Sequence, residues 1–163
     1  MNITLIGMAG AGKSTIGREI AHKLSYRFID IDQLIEQKTK KRIGDIIQNL
    51  GEKKFKEIEE KTVLELTNIE NTVISPGGSI VYSEKVMKFL KKISAVIWLD
   101  VSFENVQKRL TDERIKCIIG IKEKGLKGLF EERQVLYRKY ADIIVQADNI
   151  GFAVKEIMKK IGP

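Results

Sequence analysis

Apolar residues in this chain fall into short unbroken runs, separated by longer stretches in which they recur every three or four positions. The first run, Ile3 to Ile6, is broken by Gly7, and Ile16, Ile20 and Leu24 then follow at spacings of four, which predicts strand, glycine loop and helix in succession. A second short run, Phe28 to Ile31, leads into Asp32, after which Leu34 and Ile35 open an amphipathic helix rich in Lys and Glu. Two further helical stretches are predicted: one carries Ile43, Ile46, Ile47 and Leu50 and stops at Gly51, and the next carries Phe55, Ile58, Val63 and Leu66. A third strand, Thr72 to Ser75, is ended by Pro76, Gly77 and Gly78. Ala95 to Leu99 and Asp142 to Val145 read as a fourth and a fifth, with helices at about 83 to 92, 102 to 110, 126 to 139 and 150 to 161. Strands that alternate with helices need crossover connections, and these produce a mostly parallel sheet covered on both faces. The predicted fold class is therefore three-layer α/β. Residues 111 to 125 break the alternation. They hold Asp112, Glu113, Arg114, Lys116, Lys122, Glu123 and Lys124 with two glycines, a composition that suits a mobile lid better than a buried element.

Composition narrows this picture without changing it. At 163 residues and 43% hydrophobic content the chain is one domain, residues 1 to 163, with no internal repeat and no low-complexity segment. The formal charge of +7 raises the question of nucleic acid. The lysines, however, are scattered over predicted helix faces (38 to 42, 53 to 56, 85 to 92, 159 to 160) without interleaved aromatics to stack on bases, so neither DNA nor RNA is an expected partner. The single cysteine, Cys117, has no partner for an internal disulfide, and no apolar run approaches the roughly 20 residues that span a bilayer. A cytoplasmic protein that makes no membrane contact is expected, and a monomer.

The chemistry begins at the first loop. Gly7-Met8-Ala9-Gly10-Ala11-Gly12-Lys13-Ser14-Thr15 satisfies G-x-x-x-x-G-K-[ST] at every fixed position, directly after a predicted strand and before a predicted helix. Backbone N–H groups wrap a phosphate chain only where side chains do not obstruct them, hence the glycines. Lys13 then reaches the β and γ phosphates, Ser14 offers its hydroxyl to Mg2+, and the helix start adds its positive dipole end. Asp30 and Asp32, at the carboxyl end of the second strand, start on opposite faces there and sit where ligands bind in open α/β sheets. One of the two is expected to orient magnesium through water and the other to hold an acceptor hydroxyl, while capping of the following helix by Asp32 is the competing explanation. Asp100, after the fourth strand, is either a metal-orienting aspartate or the start of the helix at Ser102. His22 falls on the polar side of its helix, and Cys117 has no histidine nearby to activate it, so neither is assigned chemistry.

Together these segments resemble the shikimate kinase family. The phosphate loop is followed by Thr15-Ile16-Gly17-Arg18, then Phe28-Ile29-Asp30-Ile31-Asp32, Gly51-Glu52 leading into Phe55-Lys56 and Glu59, Gly77-Gly78, and finally Glu132-Arg133, Leu136-Tyr137 and Ala141-Asp142, in the family's order over nearly the whole chain. The resemblance implies five parallel strands in the order 2-3-1-4-5 and transfer of phosphate from ATP, with Mg2+, to the 3-hydroxyl of shikimate. It implies that Asp32 contacts the acceptor hydroxyls as candidate base and that Asp30 orients magnesium through water, alongside Ser14. Nucleotide contacts fall on Gly10, Ala11, Gly12, Lys13, Ser14 and Thr15, with Arg109 packed on the adenine and Lys116 as the lid's catalytic cation. Acceptor contacts fall on Asp32, Lys56, Gly77, Gly78 and Arg133. Residues 33 to 61 match the acceptor-binding helices and 111 to 125 the lid. Three positions depart from the family: Lys56 and Lys116 replace arginines, with Arg114 two residues earlier as a substitute for the second, and Ser79 replaces a third glycine. Lysine offers a point charge where arginine offers a two-pronged clamp, yet positive charge survives, so an anionic acceptor is expected. A kinase for another hydroxylated acid such as gluconate is the nearest alternative, and a P-loop ATPase or switch without a small acceptor is the alternative from another class.

Overall fold

In the computed structural model, which describes residues 1–162, five strands form one sheet: β1 (Ile3–Ile6), β2 (Arg27–Asp30), β3 (Thr72–Ser75), β4 (Ala95–Asp100) and β5 (Ile143–Gln146). Their spatial order is β2-β3-β1-β4-β5, and all neighbours run parallel. The inner strands β1 and β3 are buried at every position, whereas the edge strands expose Arg27 on β2 and Ile144 and Gln146 on β5. That difference explains why the central strands read as continuous apolar runs: both of their faces are covered by helices.

The helices are α1 (Lys13–Leu24), α2 (Ile31–Thr39), α3 (Ile43–Leu64), α4 (Glu84–Ile93), α5 (Phe103–Arg109), α6 (Asp112–Lys116), α7 (Ile121–Tyr140) and α8 (Ile150–Ile161), with a short 3-10 turn at Gly78–Tyr82. No helix among the described residues is long and apolar enough to cross a membrane. α1 packs tightly on the sheet edge because Gly17 presents no side chain there: a Cβ at this position would lie 2.5 Å from the Phe28 ring. Register then fixes the site. Pairing of Asp30 with Ser75 and of Thr4 with Ile74 sets the carboxyl ends of β2, β3 and β1 side by side, so the glycine loop, Asp30 and Pro76-Gly77 meet at one edge of the sheet.

Two local expectations need correction. β2 ends at Asp30 and Ile31 already belongs to α2, so Asp30 and Asp32 are not alternate positions of a strand. The helix N-cap is Asp30, whose side chain accepts from the Gln33 N–H; Asp32 lies in the first turn and caps nothing. Residues 111 to 125 also carry more helix than their charge implies. They contain α6 and the first turn of α7, which breaks at Gly125 (φ 67°, ψ 170°), and they bury Ile118 and Ile119 between the two helices. The predicted stop at Gly51 is present as a sharp break inside α3 (φ 84°, ψ 164°).

Candidate active site

The loop between β1 and α1 turns at Gly10 (φ 82°) and Gly12 (φ 87°), both in the left-handed region that a side chain would strain. Gly12 is the N-cap of α1 and supplies no side-chain cap, so the first N–H groups of the helix point into the loop. Lys13 folds back over this loop, donating to the carbonyls of Gly7 (2.8 Å) and Met8 (3.0 Å). Burial pushes its ammonium down to about 8 from an ordinary 10.5, against the pull of the Asp32 carboxylate. Ser14 donates to Asp30 Oδ2 at 2.7 Å, which brings two hard oxygen groups together beside the loop. Arg109 is held by the carbonyls of Gly10 (3.3 Å), Ala147 (3.2 Å) and Asp148 (2.6 Å), with its guanidinium at the loop's far rim. A cavity of about 300 Å³ lies among Gly10, Gly12, Lys13, Ser14, Thr15, Arg109 and Arg114.

A larger cavity of about 530 Å³ adjoins it, and the two share Ala9, Ser14, Asp30, Asp32, Gly77, Gly78 and Arg114. Its floor is built by three polar side chains from three different elements, Glu59 and Arg133 buried and Asp32 half-buried. Asp32 comes from α2, Glu59 (3% exposed) from α3 and Arg133 (1% exposed) from α7. One atom of each, Asp32 Oδ1, Glu59 Oε2 and Arg133 Nε, is buried without a hydrogen-bond partner in the protein. Burial and the nearby Asp30 raise Asp32 to about 6, while burial and Asp32 raise Glu59 to about 8, with Arg133 acting in the opposite sense. At neutral pH Asp32 is thus largely ionised and Glu59 largely protonated. Arg133 is steadied by the Ile119 carbonyl (2.8 Å) and by the Met8 sulfur (3.9 Å). Gly77 and Gly78 are glycines for room rather than for φ: a Cβ on Gly77 would lie 2.9 Å from Glu59 Oε2, and one on Gly78 would lie 3.1 Å from Arg133 Nη1. Tyr137 locks this turn by donating to the Gly78 carbonyl at 2.7 Å.

The structure therefore brings Gly10, Gly12, Lys13, Ser14, Thr15, Arg109, Asp30, Asp32, Gly77, Gly78 and Arg133 around one continuous cleft. Ala11 lines neither cavity: it is fully buried, and its N–H donates to the Met8 carbonyl (3.0 Å). Two further expected residues are elsewhere. Lys56 is exposed on α3 outside the larger cavity, with Nζ 5.1 Å above the Tyr82 ring. Lys116 is exposed at the end of α6 and lines neither cavity, whereas Arg114, one helical step back, lines both. Asp100 is also outside, accepting from Gln146 (2.9 Å), and Ser102 is the cap of α5. Glu59 belongs to the matched Gly51-Glu52…Phe55-Lys56 segment, where the sequence alone gives it no role. A signal was present: it lies one turn beyond Phe55 on the buried stripe of its helix.

Fold, loop and cleft together define the class: a P-loop kinase of the nucleoside monophosphate kinase-like architecture. Within that class the shikimate kinase family model matches residues 9–162. A shikimate kinase from Sulfurihydrogenibium sp. (strain YO3AOP1) is 40% identical over 162 residues, covering 98% of this chain and 97% of that protein. Among solved structures, shikimate kinase from Acinetobacter baumannii in complex with shikimate superposes with a TM-score of 0.86 at 30% identity, over 98% of this chain and 92% of that one. Shikimate kinase from Aquifex aeolicus vf5 gives a TM-score of 0.87 at 32% identity, over 99% and 96%. The chain belongs to the shikimate kinase family.

Proposed function

We propose that this chain transfers the γ-phosphoryl group of ATP to the 3-hydroxyl of shikimate, giving ADP and shikimate 3-phosphate for aromatic amino-acid biosynthesis. The observation that carries the reading is the convergence of Asp32 Oδ1, Glu59 Oε2 and Arg133 Nε, all buried and unpartnered, in a cavity that opens onto the phosphate loop. Three orphaned polar atoms of this kind are costly unless a ligand supplies their partners. A small carboxylic acid with several hydroxyls does so. Its carboxylate meets Arg133, and its hydroxyls meet ionised Asp32 and the protonated carboxyl of Glu59, which donates as well as accepts.

The smaller cavity takes the nucleotide. Loop N–H groups and Lys13 hold its phosphates, and Arg109 contacts the base end. Arg114, rather than Lys116, supplies the lid cation over the transferring group, because it alone of the two reaches the cleft. Asp32 accepts the proton of the attacking hydroxyl as its oxygen bonds to phosphorus and the bond to ADP breaks. Ser14 and Asp30, as hard oxygens 2.7 Å apart, suit Mg2+, which neutralises phosphate charge when bound. Residues 33 to 61 serve as the acceptor-binding helices and 111 to 125 as the lid of a single domain, acting as a cytoplasmic monomer. ADP release coupled to a dehydrogenase reporter, run against shikimate, quinate, gluconate and no acceptor, tests the reading. Turnover with shikimate alone is expected. Faster turnover with gluconate moves the acceptor to that acid, and acceptor-independent ADP release overturns the kinase assignment.

A further inference from the structure

Arg133 is the cation of the acceptor cavity, yet few hydrogen bonds fix its plane. Among the described residues its guanidinium donates to the Ile119 carbonyl (2.8 Å) and, weakly, to the Met8 sulfur (3.9 Å), while Nε has no partner. One good hydrogen bond leaves a planar group with five donors free to swing about it. The Tyr82 ring removes that freedom: its centroid lies 5.4 Å from Arg133 Cζ, within the reach at which an aromatic face attracts a guanidinium.

Tyr82 ends the 3-10 turn after β3, four residues beyond Gly78, and is half-buried. It lines neither of the two cavities described above. It lines a third, of about 160 Å³, which shares Glu59 and Ser79 with the larger one, so the ring stands beside the acceptor cavity without entering it. The ring is itself held. Its hydroxyl donates to Glu132 Oε2 at 2.5 Å, and Lys124 donates to both oxygens of the same carboxylate (2.7 and 2.8 Å). The Lys124 and Tyr82 hydrogen bonds hold the Glu132 carboxyl below its ordinary range and hence ionised at neutral pH. Lys56 (5.1 Å) and Lys124 (5.9 Å) also lie over the ring, so three cations gather on it and the Glu132 anion offsets part of their repulsion. Both lysines are exposed and stand outside the larger cavity. If the ring were removed, water would take its place for them, whereas Arg133, 1% exposed, has no such replacement.

We propose that Tyr82 is a positioning residue for the acceptor's carboxylate: its ring seats the Arg133 guanidinium in the orientation that meets that group. This rests on the acceptor reading above. Tyr82 itself touches neither substrate, so its effect falls on acceptor binding and passes through Arg133.

Two variants test it: Tyr82→Leu removes the aromatic face, and Tyr82→Phe keeps the face while losing the bond to Glu132. In steady-state kinetics with shikimate and ATP, Tyr82→Leu should raise the acceptor KM by about five- to thirtyfold and leave kcat and the ATP KM within about twofold. Tyr82→Phe should keep all three constants within about threefold. An unchanged acceptor KM in Tyr82→Leu overturns the proposal. So does an equal rise in both variants, which assigns the effect to the hydroxyl and Glu132, or a parallel loss of ATP affinity, which means a general disturbance of the fold. The Nε–H of Arg133 gives a readout independent of the acceptor's identity. Its proton resonance, assigned by its disappearance in Arg133→Lys, should exchange with water at least about tenfold faster in ligand-free Tyr82→Leu than in the unaltered protein and Tyr82→Phe. Unchanged exchange also overturns the proposal. Failure of the unaltered protein to turn over shikimate while this exchange still responds to Tyr82→Leu would instead count against the acceptor assignment and leave the seat of Arg133 standing.

Discussion

Glu59→Gln should make the protein more stable, and increasingly so as pH rises. Below 4.5 the Glu59 carboxyl holds its proton in both the folded and the unfolded chain, and ionisation costs nothing. Between 4.5 and about 8 the unfolded chain gives up that proton while burial, with Asp32 nearby, makes the native chain keep it. The unfolded state binds fewer protons across this window, so native stability falls as pH rises, at up to about 1.4 kcal/mol per pH unit. By pH 7 the accumulated loss is about 3 kcal/mol, and for a chain of this length each kcal/mol moves Tm by roughly 2–4 °C. Gln has the same shape and cannot ionise, so it removes the slope. Thermal unfolding followed by circular dichroism from pH 5 to 8 should give similar Tm values for the two proteins at pH 5 and a Gln variant higher by roughly 6–12 °C at pH 7. Asp32, raised to about 6, contributes a slope of the same sign at lower pH in both proteins and does not disturb the comparison. Parallel Tm curves would refute the reasoning, because they would mean that Glu59 is solvated or fully paired as an anion. The same variant should keep acceptor affinity within a few-fold at neutral pH, since the Gln amide, like the protonated carboxyl, both donates and accepts.

Acceptor kcat/KM should be bell-shaped in pH. It falls below about 6, where Asp32 takes up a proton and ceases to be a base, and above about 8, where Lys13 loses its charge; a flat profile across pH 6 would remove Asp32 from the role of base. Asp32→Asn should lower kcat by about 100-fold or more with ATP affinity within a few-fold, and a collapse of ATP affinity instead would move Asp32 to the metal site. Lys56→Met should change the acceptor KM by less than about threefold, because Lys56 sits over Tyr82 outside the cavity, whereas Arg133→Met should raise it by about tenfold to a hundredfold if the domain stays folded. The reverse ranking in steady-state kinetics would restore Lys56 as the anion clamp.

The sheet was legible because parallel central strands are buried on both faces, which leaves the unbroken runs of β1, β3 and β4 as an unambiguous signal. Strand ends were less so. Ile31 continues the apolar run of β2, but the Asp30 side chain captures the Gln33 N–H and starts a helix one residue earlier, a local hydrogen bond that hydrophobic spacing does not record. The glycine turn between β1 and α1 was legible, since it rests on backbone conformation and a contiguous motif. Lys56 was not. Its place in the motif fixes its position on α3, but its ammonium lies over the ring of Tyr82, which arrives from a turn beyond β3. Arg114 and Lys116 are two residues apart on a short helix and so project to different sides, a distinction visible only once α6 is known to be helical.

Glu59 and Arg133 occupy comparable places in the pattern. α3 buries Phe55, Glu59, Thr62 and Val63, and α7 buries Leu129, Arg133, Tyr137 and Tyr140, each a stripe at spacings of three or four. A charged residue on such a stripe opposes folding unless it is partnered, because desolvating it is expensive. These two are not a simple ion pair. Arg133 leaves Nε unpartnered and Glu59 leaves Oε2 unpartnered, and burial raises Glu59 instead of letting Arg133 pull it down. A fold that needed only stability would have apolar residues at both positions. The two stripes converge on the wall of the larger cavity, beside the glycines whose missing side chains keep it open. The conflict between pattern and residue type thus marks the larger cavity from two helices independently, and it does so at positions 59 and 133 and not at the exposed Lys56, whose solvated ammonium opposes nothing.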